Sequence, residues 1–327
     1  MVSIIIPHFN RVALIKETVQ SVLVQTNRNW ELIIVDDWSD EIEFQLICLF
    51  KNDDERIKVV KRKSLTKGPS ACRNEGVTIS KGEYLLFLDS DDALAPFCIE
   101  QRLRQMQLDK TIDFGIFLMQ EFKRKPGDSN KIYNNDSSYG NRVNCFLEGD
   151  NPWAVTCPIW RRDFFIQCGS FDESFFYIED PELHIRALLQ EGIVYKTFYN
   201  LPADCYYRTN FHDETKLMFY ENSIRYRIQF YKKVGILINK NPDWRNSYSA
   251  SFEKGVFIFF SSFLLSRLKE FPDLSQDFIK WVKGPSFLSL HAKLKIRFLS
   301  FIFENDNIVF KKIRLKGIVS QLLIPAS

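Results

Sequence analysis

The chain has 327 residues, enough for one large domain or two, with 45% apolar and 26% charged residues, ordinary values for a globular protein. A net charge of +3 with no basic-aromatic repeat argues against a nucleic-acid partner. Seven scattered cysteines, never in a Cys-x-x-Cys pair, exclude a disulfide framework or a zinc cage and read as reduced thiols, mostly core filler, of a cytosolic protein.

The opening residues Met1-Val2-Ser3-Ile4-Ile5-Ile6-Pro7 carry no basic region and go directly into a strand pattern, so no signal peptide is expected. Residues 2–6 read as a buried strand, followed by a helix with apolar positions at Leu14, Ile15, Val19, Val22 and Leu23. Strand patterns at 32–35, 57–60 and 84–88 alternate with helical ones at 42–50 and 70–79. Continuous apolar strands separated by helices predict a parallel sheet covered on both faces, in which ligands bind beyond the carboxyl ends of the strands. Three polar turns fall there: Pro7-His8-Phe9-Asn10, Asp36-Asp37-Trp38-Ser39 and Asp89-Ser90-Asp91-Asp92.

Residues 113–122 read as one further strand run and 123–139 as a polar surface loop. Short strands and a helix at 181–190, stopped by Gly192, fill 153–210, and beyond about 217 the pattern is helical. The greasiest stretch, 256–265, is interrupted by Ser261 and Ser262 and falls short of the ~20 apolar residues of a membrane span. The resulting division is 1–215 for an α/β domain and 216–327 for a helical extension.

The acidic turn after residue 88 carries the strongest chemical signal. Three carboxylates at a strand end are hard oxygen ligands suited to Mg²⁺ or Mn²⁺ shared with phosphate. Read alone, the same turn is equally a helix start, with Asp91 or Asp92 as its cap. A glycine-rich basic loop after the first strand, as nucleotidyl transfer would want, and a GxGxxG are both absent.

Taken together, Val2-Ser3-Ile4-Ile5-Ile6-Pro7-His8-Phe9-Asn10-Arg11, Glu31-Leu32-Ile33-Ile34-Val35-Asp36-Asp37-Trp38-Ser39, Gly68-Pro69-Ser70-Ala71-Cys72-Arg73-Asn74-Glu75-Gly76, the DxD-like Asp89-Ser90-Asp91, Gly169-Ser170-Phe171-Asp172-Glu173 and Glu179-Asp180-Pro181-Glu182-Leu183 resemble, in order and spacing, the family 2 glycosyltransferases with the GT-A fold. Cys72 stands where that family usually has alanine. The resemblance covers residues 1–215 and implies a Rossmann-like, mostly parallel central sheet flanked by helices, followed here by an all-helical extension. It implies an inverting transferase moving a sugar from a nucleoside-diphosphate donor, UDP being the commonest, to an acceptor hydroxyl, in the setting of bacterial surface-polysaccharide synthesis. A sugar nucleotidyltransferase and a non-catalytic nucleotide-sugar binder are the alternatives; the second should have lost Asp91 or Asp180, and both are present.

Carried onto these positions, the resemblance puts Pro7, Phe9 and Asn10 around base and ribose, Asp37 on the base edge, Arg73 beside the donor carboxylates and Ser90 in the donor-binding turn. It puts Asp91 on a divalent cation (Mn²⁺ or Mg²⁺), with Asp89 on ribose or metal and Asp92 in support. Asp180 is the expected catalytic base, Glu179 its fallback, and Asp180-Pro181 also reads as a helix cap followed by proline. Arg208 is expected near phosphate and His212 on the metal or idle at the surface. His8 receives no role. Trp160 is expected to pack, and Trp153 either to pack or to stack on a sugar. The acceptor would be a glycan or a lipid-linked sugar.

In residues 284–327, seven Lys/Arg stand against Glu304 and Asp306, interleaved with Leu288, Leu290, Leu294, Phe298, Phe301 and Ile302. Two readings stand side by side: a cap packed on the catalytic domain or on a second copy of the chain, and a peripheral contact with the anionic inner face of a cell membrane.

Overall fold

The computed structural model describes residues 1–134, 140–209, 215–284 and 286–304, with 302–304 described by their backbone alone. Strands β1 (Val2–His8), β2 (Trp30–Asp36), β3 (Ile57–Lys61) and β4 (Tyr84–Phe87) alternate with helices α1 (Val12–Leu23), α2 (Glu41–Cys48) and α3 (Pro69–Ile79). The strands are parallel, in order β3-β2-β1-β4, with Ile5 level with both Ile33 and Phe87. Ile4, Ile5, Ile6, Leu32, Ile33, Leu85 and Leu86 are fully buried, each contributing roughly 1.5–3 kcal/mol of apolar burial. α1 buries Ile15, Thr18, Val19 and Val22, the spacing of one helical face. Because the four strands point the same way, the turns after β1, β2 and β4 share one rim.

β5 (Ala93–Leu94), α4 (Cys98–Leu108), β6 (Phe114–Ile116) and β7 (Met119–Phe122) follow. The single strand expected over 113–122 is therefore two, and they lie in different sheets. β6 extends the large sheet, while β7 joins a small sheet, β5-β10-β7. The chain switches sheets at Phe117, whose N–H bonds Cys157, and Leu118, whose carbonyl accepts from Asp204. Buried apolar residues stand on both sides of the break, Phe114, Ile116 and Phe117 before it and Met119 and Phe122 after it, so no polar turn marks it in the sequence.

After α5 (Arg142–Glu148), β8 (Pro158–Arg161) enters the large sheet antiparallel between β4 and β6. α6 (Arg162–Gln167), α7 (Glu179–Leu188), β9 (Tyr195–Thr197) and β10 (Cys205–Arg208) complete this part. β10 is positioned by a fully buried ion pair, Arg102 to Asp204, with Nη2–Oδ1 at 2.6 Å and Nε–Oδ2 at 2.9 Å. Such a two-pronged pair sets geometry more than it adds stability.

Two compact units result, one of Met1–Arg142 with Asn151–Asp213, the other of Val143–Asp150 with Glu214–Ser327. The second unit contains α8 (Lys216–Asn239), α9 (Pro242–Phe259), α10 (Pro272–Lys283) and α11 (Leu290–Glu304). Thr215 and Asn241 cap α8 and α9 by accepting from first-turn N–H groups. At Gly255 a Cβ would sit 1.8 Å from the Leu147 carbonyl, so only glycine lets α9 approach the 143–150 segment this closely. Phe252, Phe259, Phe260 and Phe278 form its core. Among the described residues no helix is long and apolar enough to cross a membrane. All seven cysteines are free thiols.

Candidate functional site

The rim begins with a lock between the first two turns. Arg11 N–H donates to His8 Nε2 at 3.3 Å, which leaves the ring proton on Nδ1, 3.0 Å from Asp36 Oδ1. Ser39 Oγ donates to the same oxygen at 2.5 Å and accepts from Asn10 N–H at 2.9 Å. Burial raises the Asp36 carboxyl, but the hydrogen bonds from His8 and Ser39 outweigh it and hold the group below its usual range. Asn10 Oδ1 accepts from Asp40 N–H at 2.9 Å, completing the lock around a left-handed residue, Asn10 at φ 48°. Pro7, next to last in β1, is half-buried; Phe9 and Trp38 present exposed rings from neighbouring turns, and Trp38 Nε1 donates to the Arg62 carbonyl at 3.0 Å.

Asp37 is engaged on both oxygens, by Arg62 Nε at 2.5 Å and by Gly68 N–H at 2.9 Å. Gly68 has φ 115°, and a Cβ there would meet Phe176 at 2.7 Å. Glycine followed by Pro69 thus both starts α3 and offers its N–H to Asp37. One turn into α3 comes Arg73.

Arg73 is the hinge pin of the site. Its guanidinium, 3% exposed, donates through Nη2 to Asp89 Oδ1 at 2.6 Å and through Nη1 to Glu179 Oε1 at 2.7 Å. Burial opposes its charge, and the two carboxylates overcome that and push its pKa up. Two acidic motifs 90 residues apart are thereby joined by one side chain.

The turn after β4 is not a helix cap. α4 starts at Cys98, with Phe97 before it and no side-chain cap, so Asp91 and Asp92 both precede it by several residues. Thr18 Oγ1 holds the turn instead, within reach of the carbonyls of Ser90 at 3.1 Å and Asp92 at 2.7 Å. Ser90 is buried, so it shapes the turn from inside. Asp92 is buried too, and its Oδ1 accepts from Arg208 N–H at 3.0 Å, which ties the turn to β10. Asp91 faces Arg11, whose Nη1 lies 3.3 Å from Oδ2. Burial and then Asp89 raise the Asp91 carboxyl; burial and then Asp91 raise Asp92 well above its ordinary value. Among the described residues no group of three or more His, Cys, Asp or Glu side chains is arranged to hold a metal ion by itself.

α7 brings the remaining carboxylates. It starts at Glu179 after Ile178, a β-branched residue held at φ 65°. Asp180 is therefore inside the first turn and not its cap, with Pro181 two places further in than expected. Burial and then Glu179 push the Asp180 carboxyl well above its ordinary value, Arg73 opposes this, and Asp89 adds to it. The Tyr207 phenol on β10 feels the whole cluster: burial first, then Asp92, Asp89, Asp91 and Asp180, push it up to about 12. The segment before α7 is a clamp. Asn74 bonds Phe171 in both directions, at 2.9 and 3.0 Å, and Glu173 at 3.1 Å; Arg186 donates to the Ser170 carbonyl at 2.7 Å.

Arg208 is already committed, with Nε to the Asp91 carbonyl at 2.8 Å and Nη2 to Glu17 at 2.5 Å. His212 lies outside the described residues. Trp153 and Trp160 are fully buried around His184, whose imidazole burial pushes down to about 3, so both indoles pack and neither faces a sugar. The structure thus brings Arg73, Asp89, Asp91, Glu179 and Asp180 into one charged cluster and Asn10 and Asp37 into the turns beside it. Residues given no role from the sequence, His8, Thr18, Arg62 and Tyr207, hold or border that arrangement. Their only sequence signal is proximity to a motif, for His8 and Tyr207; Thr18 and Arg62 have none.

Residues 3–167 match the family described as Glycosyl transferase family 2. A Rickettsia conorii protein named an uncharacterized glycosyltransferase is 41% identical over 106 residues, 32% of this chain and 17% of that protein. The putative teichuronic acid biosynthesis glycosyltransferase TuaG of Bacillus subtilis is 38% identical over 32% of this chain and 42% of its own length. A poly(ribitol-phosphate) beta-glucosyltransferase of Bacillus spizizenii is 40% identical over 28% of this chain and 15% of its own length. The chain thus spans less than half of the length of each of these relatives. In fold it is similar to S. aureus TarS 1-349 solved with UDP-GlcNAc (TM-score 0.65, 16% identity, 92% of this chain and 88% of that one). It is also similar to the Pyrobaculum calidifontis mannosyltransferase PcManGT solved with GDP-Man and Mn²⁺ (TM-score 0.56, 15% identity, 98% and 84%).

Proposed function

The chain belongs to glycosyl transferase family 2, and from that premise we propose that it moves a sugar from a nucleoside-diphosphate donor, a UDP-sugar, to an acceptor hydroxyl with inversion at the anomeric carbon. The observation that carries the reading is Arg73, which holds Asp89 and Glu179 on one guanidinium and so sets the donor-side acids beside Asp180. In the reaction the acceptor oxygen attacks the anomeric carbon, its proton passes to a carboxylate Oδ of Asp180, and the bond from carbon to the diphosphate oxygen breaks. A carboxyl raised by burial and by Glu179 is a stronger base than an ordinary aspartate once ionised, as general-base catalysis requires.

On the donor side, Phe9 and Asn10 line the base and ribose with Pro7 behind them, and Asp37, held by Arg62 and Gly68, takes the base edge. Asp89 takes the ribose or joins Asp91 on the metal. The cluster holds five carboxylates (Asp89, Asp91, Asp92, Glu179, Asp180) against Arg11, Arg73 and Arg208, and burial first, then the neighbouring carboxylates, raise Asp91 and Asp92. Mn²⁺ or Mg²⁺, ions that use one or two carboxylates and complete their shell from phosphate and water, suit Asp91 with Asp89 and would neutralise charge on the departing nucleoside diphosphate. The relatives named as a teichuronic acid biosynthesis glycosyltransferase and a poly(ribitol-phosphate) beta-glucosyltransferase support a glycan polymer as acceptor.

The test is nucleoside-diphosphate release from UDP-, GDP- and dTDP-sugars with Mn²⁺ and a polymer acceptor mixture. Asp91→Ala is expected to abolish metal-dependent donor binding; Asp180→Asn should bind donor and not turn over. Undiminished turnover by Asp180→Asn removes Asp180 as the base, and silence of the wild type with every donor removes the transferase reading.

A further inference from the structure

The second unit carries a basic and apolar face that sugar transfer does not use. α10 borders two grooves. One, of about 660 Å³, is lined by Lys280, Lys283 and Arg297; the other, of about 390 Å³, by Arg225, Lys232 and Lys233. Among the described residues the one acid lining either groove is Asp277, both of whose oxygens are held by Lys232 at 2.6 and 2.7 Å. Arg225 pairs with Glu221 on its own helix, whereas among the described residues no acid pairs with Lys280, Lys283 or Arg297.

α11 places apolar side chains beside these cations. It buries Ile296 and Leu299 on one face and exposes Leu290 (73%), Leu294 (51%) and Phe298 (61%) on the other. Those three are four residues apart, one vertical row on a helix, and Arg297 lies in the same outward sector. Lys293 and Lys295 stand at the two borders of that row. An exposed apolar row with cations within and beside it is what an interfacial surface needs: side chains entering the acyl boundary and basic groups at headgroup level.

We propose that this face of the second unit docks on an anionic lipid surface. Charge decides against the other occupants. A second copy, paired about a two-fold axis, would bring the same cations against themselves. Residues 305–327 carry Lys311, Lys312, Arg314 and Lys316 against Asp306 alone, so they too add positive to positive. A purely ionic polymer would match the grooves but leave Leu290, Leu294 and Phe298 in water. Phosphate headgroups over acyl chains match both features, and headgroup attraction scales with the number of cations at the surface.

The experiment is flotation of the full chain with vesicles of phosphatidylcholine alone and of phosphatidylcholine with phosphatidylglycerol. The wild type is expected to float with the anionic vesicles only, and to be released by high salt. Leu294→Ser/Phe298→Ser and, separately, Lys280→Glu/Lys283→Glu/Arg297→Glu should each lose about tenfold or more in binding with unchanged far-UV spectrum and melting temperature, since all five side chains are on the surface. Binding that survives the apolar pair and is competed by soluble polyphosphate makes the face a polyanion site and overturns the proposal. So does a wild type that stays with the buffer, or one whose sedimentation reports a dimer broken by the apolar pair. Vesicle binding needs no donor, so failure here leaves the transferase reading untouched, and the reverse.

Discussion

Replacing Arg73 by methionine keeps the stem of the side chain and removes its charge, leaving Asp89, Glu179 and Asp180 facing one another. Taking one partner out of a buried ion pair costs about 3–5 kcal/mol. The two arms do not weigh equally. Asp89 is 35% exposed, so water recovers most of its half, which is worth about 1 kcal/mol or less. Glu179, at 11% exposure and 2.7 Å from Nη1, has no such relief. The expected loss is therefore near the lower end, about 3 kcal/mol. For a unit of this size that lowers the melting temperature by roughly 6–12 °C.

The pH dependence gives the sharper check. Arg73 lowers the already raised Asp180 carboxyl, so its loss drives that group higher. A carboxyl raised in the folded state binds protons that the unfolded chain releases, and stability then falls as pH rises through the folded pKa. The variant's deficit should accordingly be largest at pH 8 and shrink as pH falls towards the ordinary carboxylate range. The assay is calorimetric melting with chelator present, at intervals from pH 8 to pH 5. A melting temperature within about 2 °C of wild type, or a deficit that grows in acid, refutes the reasoning. Arg73→Met/Glu179→Gln should recover at least about 1 kcal/mol, the coupling of touching residues.

Other outcomes follow from the same geometry. The pH profile of kcat/KM should have an acid limb above the ordinary carboxylate range, set by Asp180; Asp180→Asn should abolish turnover and raise the melting temperature at pH 8, where the wild-type charge is most costly. At Ile178, glycine should be more stable than alanine by about 1 kcal/mol, the reverse of their helix order, because φ is 65°; equal denaturant midpoints would contradict this. Gly68→Ala should cost about 2–3 kcal/mol from its φ of 115° and its approach to Phe176, and should raise the donor KM more than it lowers kcat, since Gly68 orients Asp37.

β1, β2 and β4 were legible because they are buried on both faces, so the apolar run and the strand coincide; the edge strand β3 buries Ile57 and Val59 and leaves Lys58, Val60 and Lys61 half-buried. Legibility failed where one property served two elements. β6 and β7 both carry buried apolar residues (Phe114, Ile116, Met119, Phe122), yet Phe117 and Leu118 carry the chain from one sheet to another through bonds to Cys157 and Asp204. The short helices α5 and α6 offer too few turns for a period to emerge. The motif acids were readable one by one, but their coupling was not. Arg73 meets partners 16 and 106 residues away, Thr18 bonds a turn 72 to 74 residues on, and His8 meets Asp36 across 28. No local pattern encodes such pairings. Trp153 stayed undecided for a related reason: an indole signals a large contact area, and only its surroundings decide between core and ligand.

Backbone strain says where this chain departs from minimum-energy choices. Among the described residues the non-glycine residues with positive φ are Asn10, Trp38, Ser170 and Ile178. Each lies in or beside a segment that forms or clamps the charged cluster. Such conformations cost of order 1–3 kcal/mol apiece and persist only when neighbours over-determine them. Three of the four have identified restraints: Ser39 and Asp40 on Asn10, the Arg62 carbonyl on Trp38, and Arg186 on Ser170. Ile178 differs, since no side chain caps the helix it precedes. What holds it is the next residue, Glu179, drawn 2.7 Å from Arg73, so the contact that joins the two acidic motifs also sustains the strained entry to α7. Loss of Arg73 should therefore loosen the Ile178 backbone as well as the charges, and amide exchange at the start of α7 should rise in Arg73→Met while that of β1 and β2 stays at the wild-type rate.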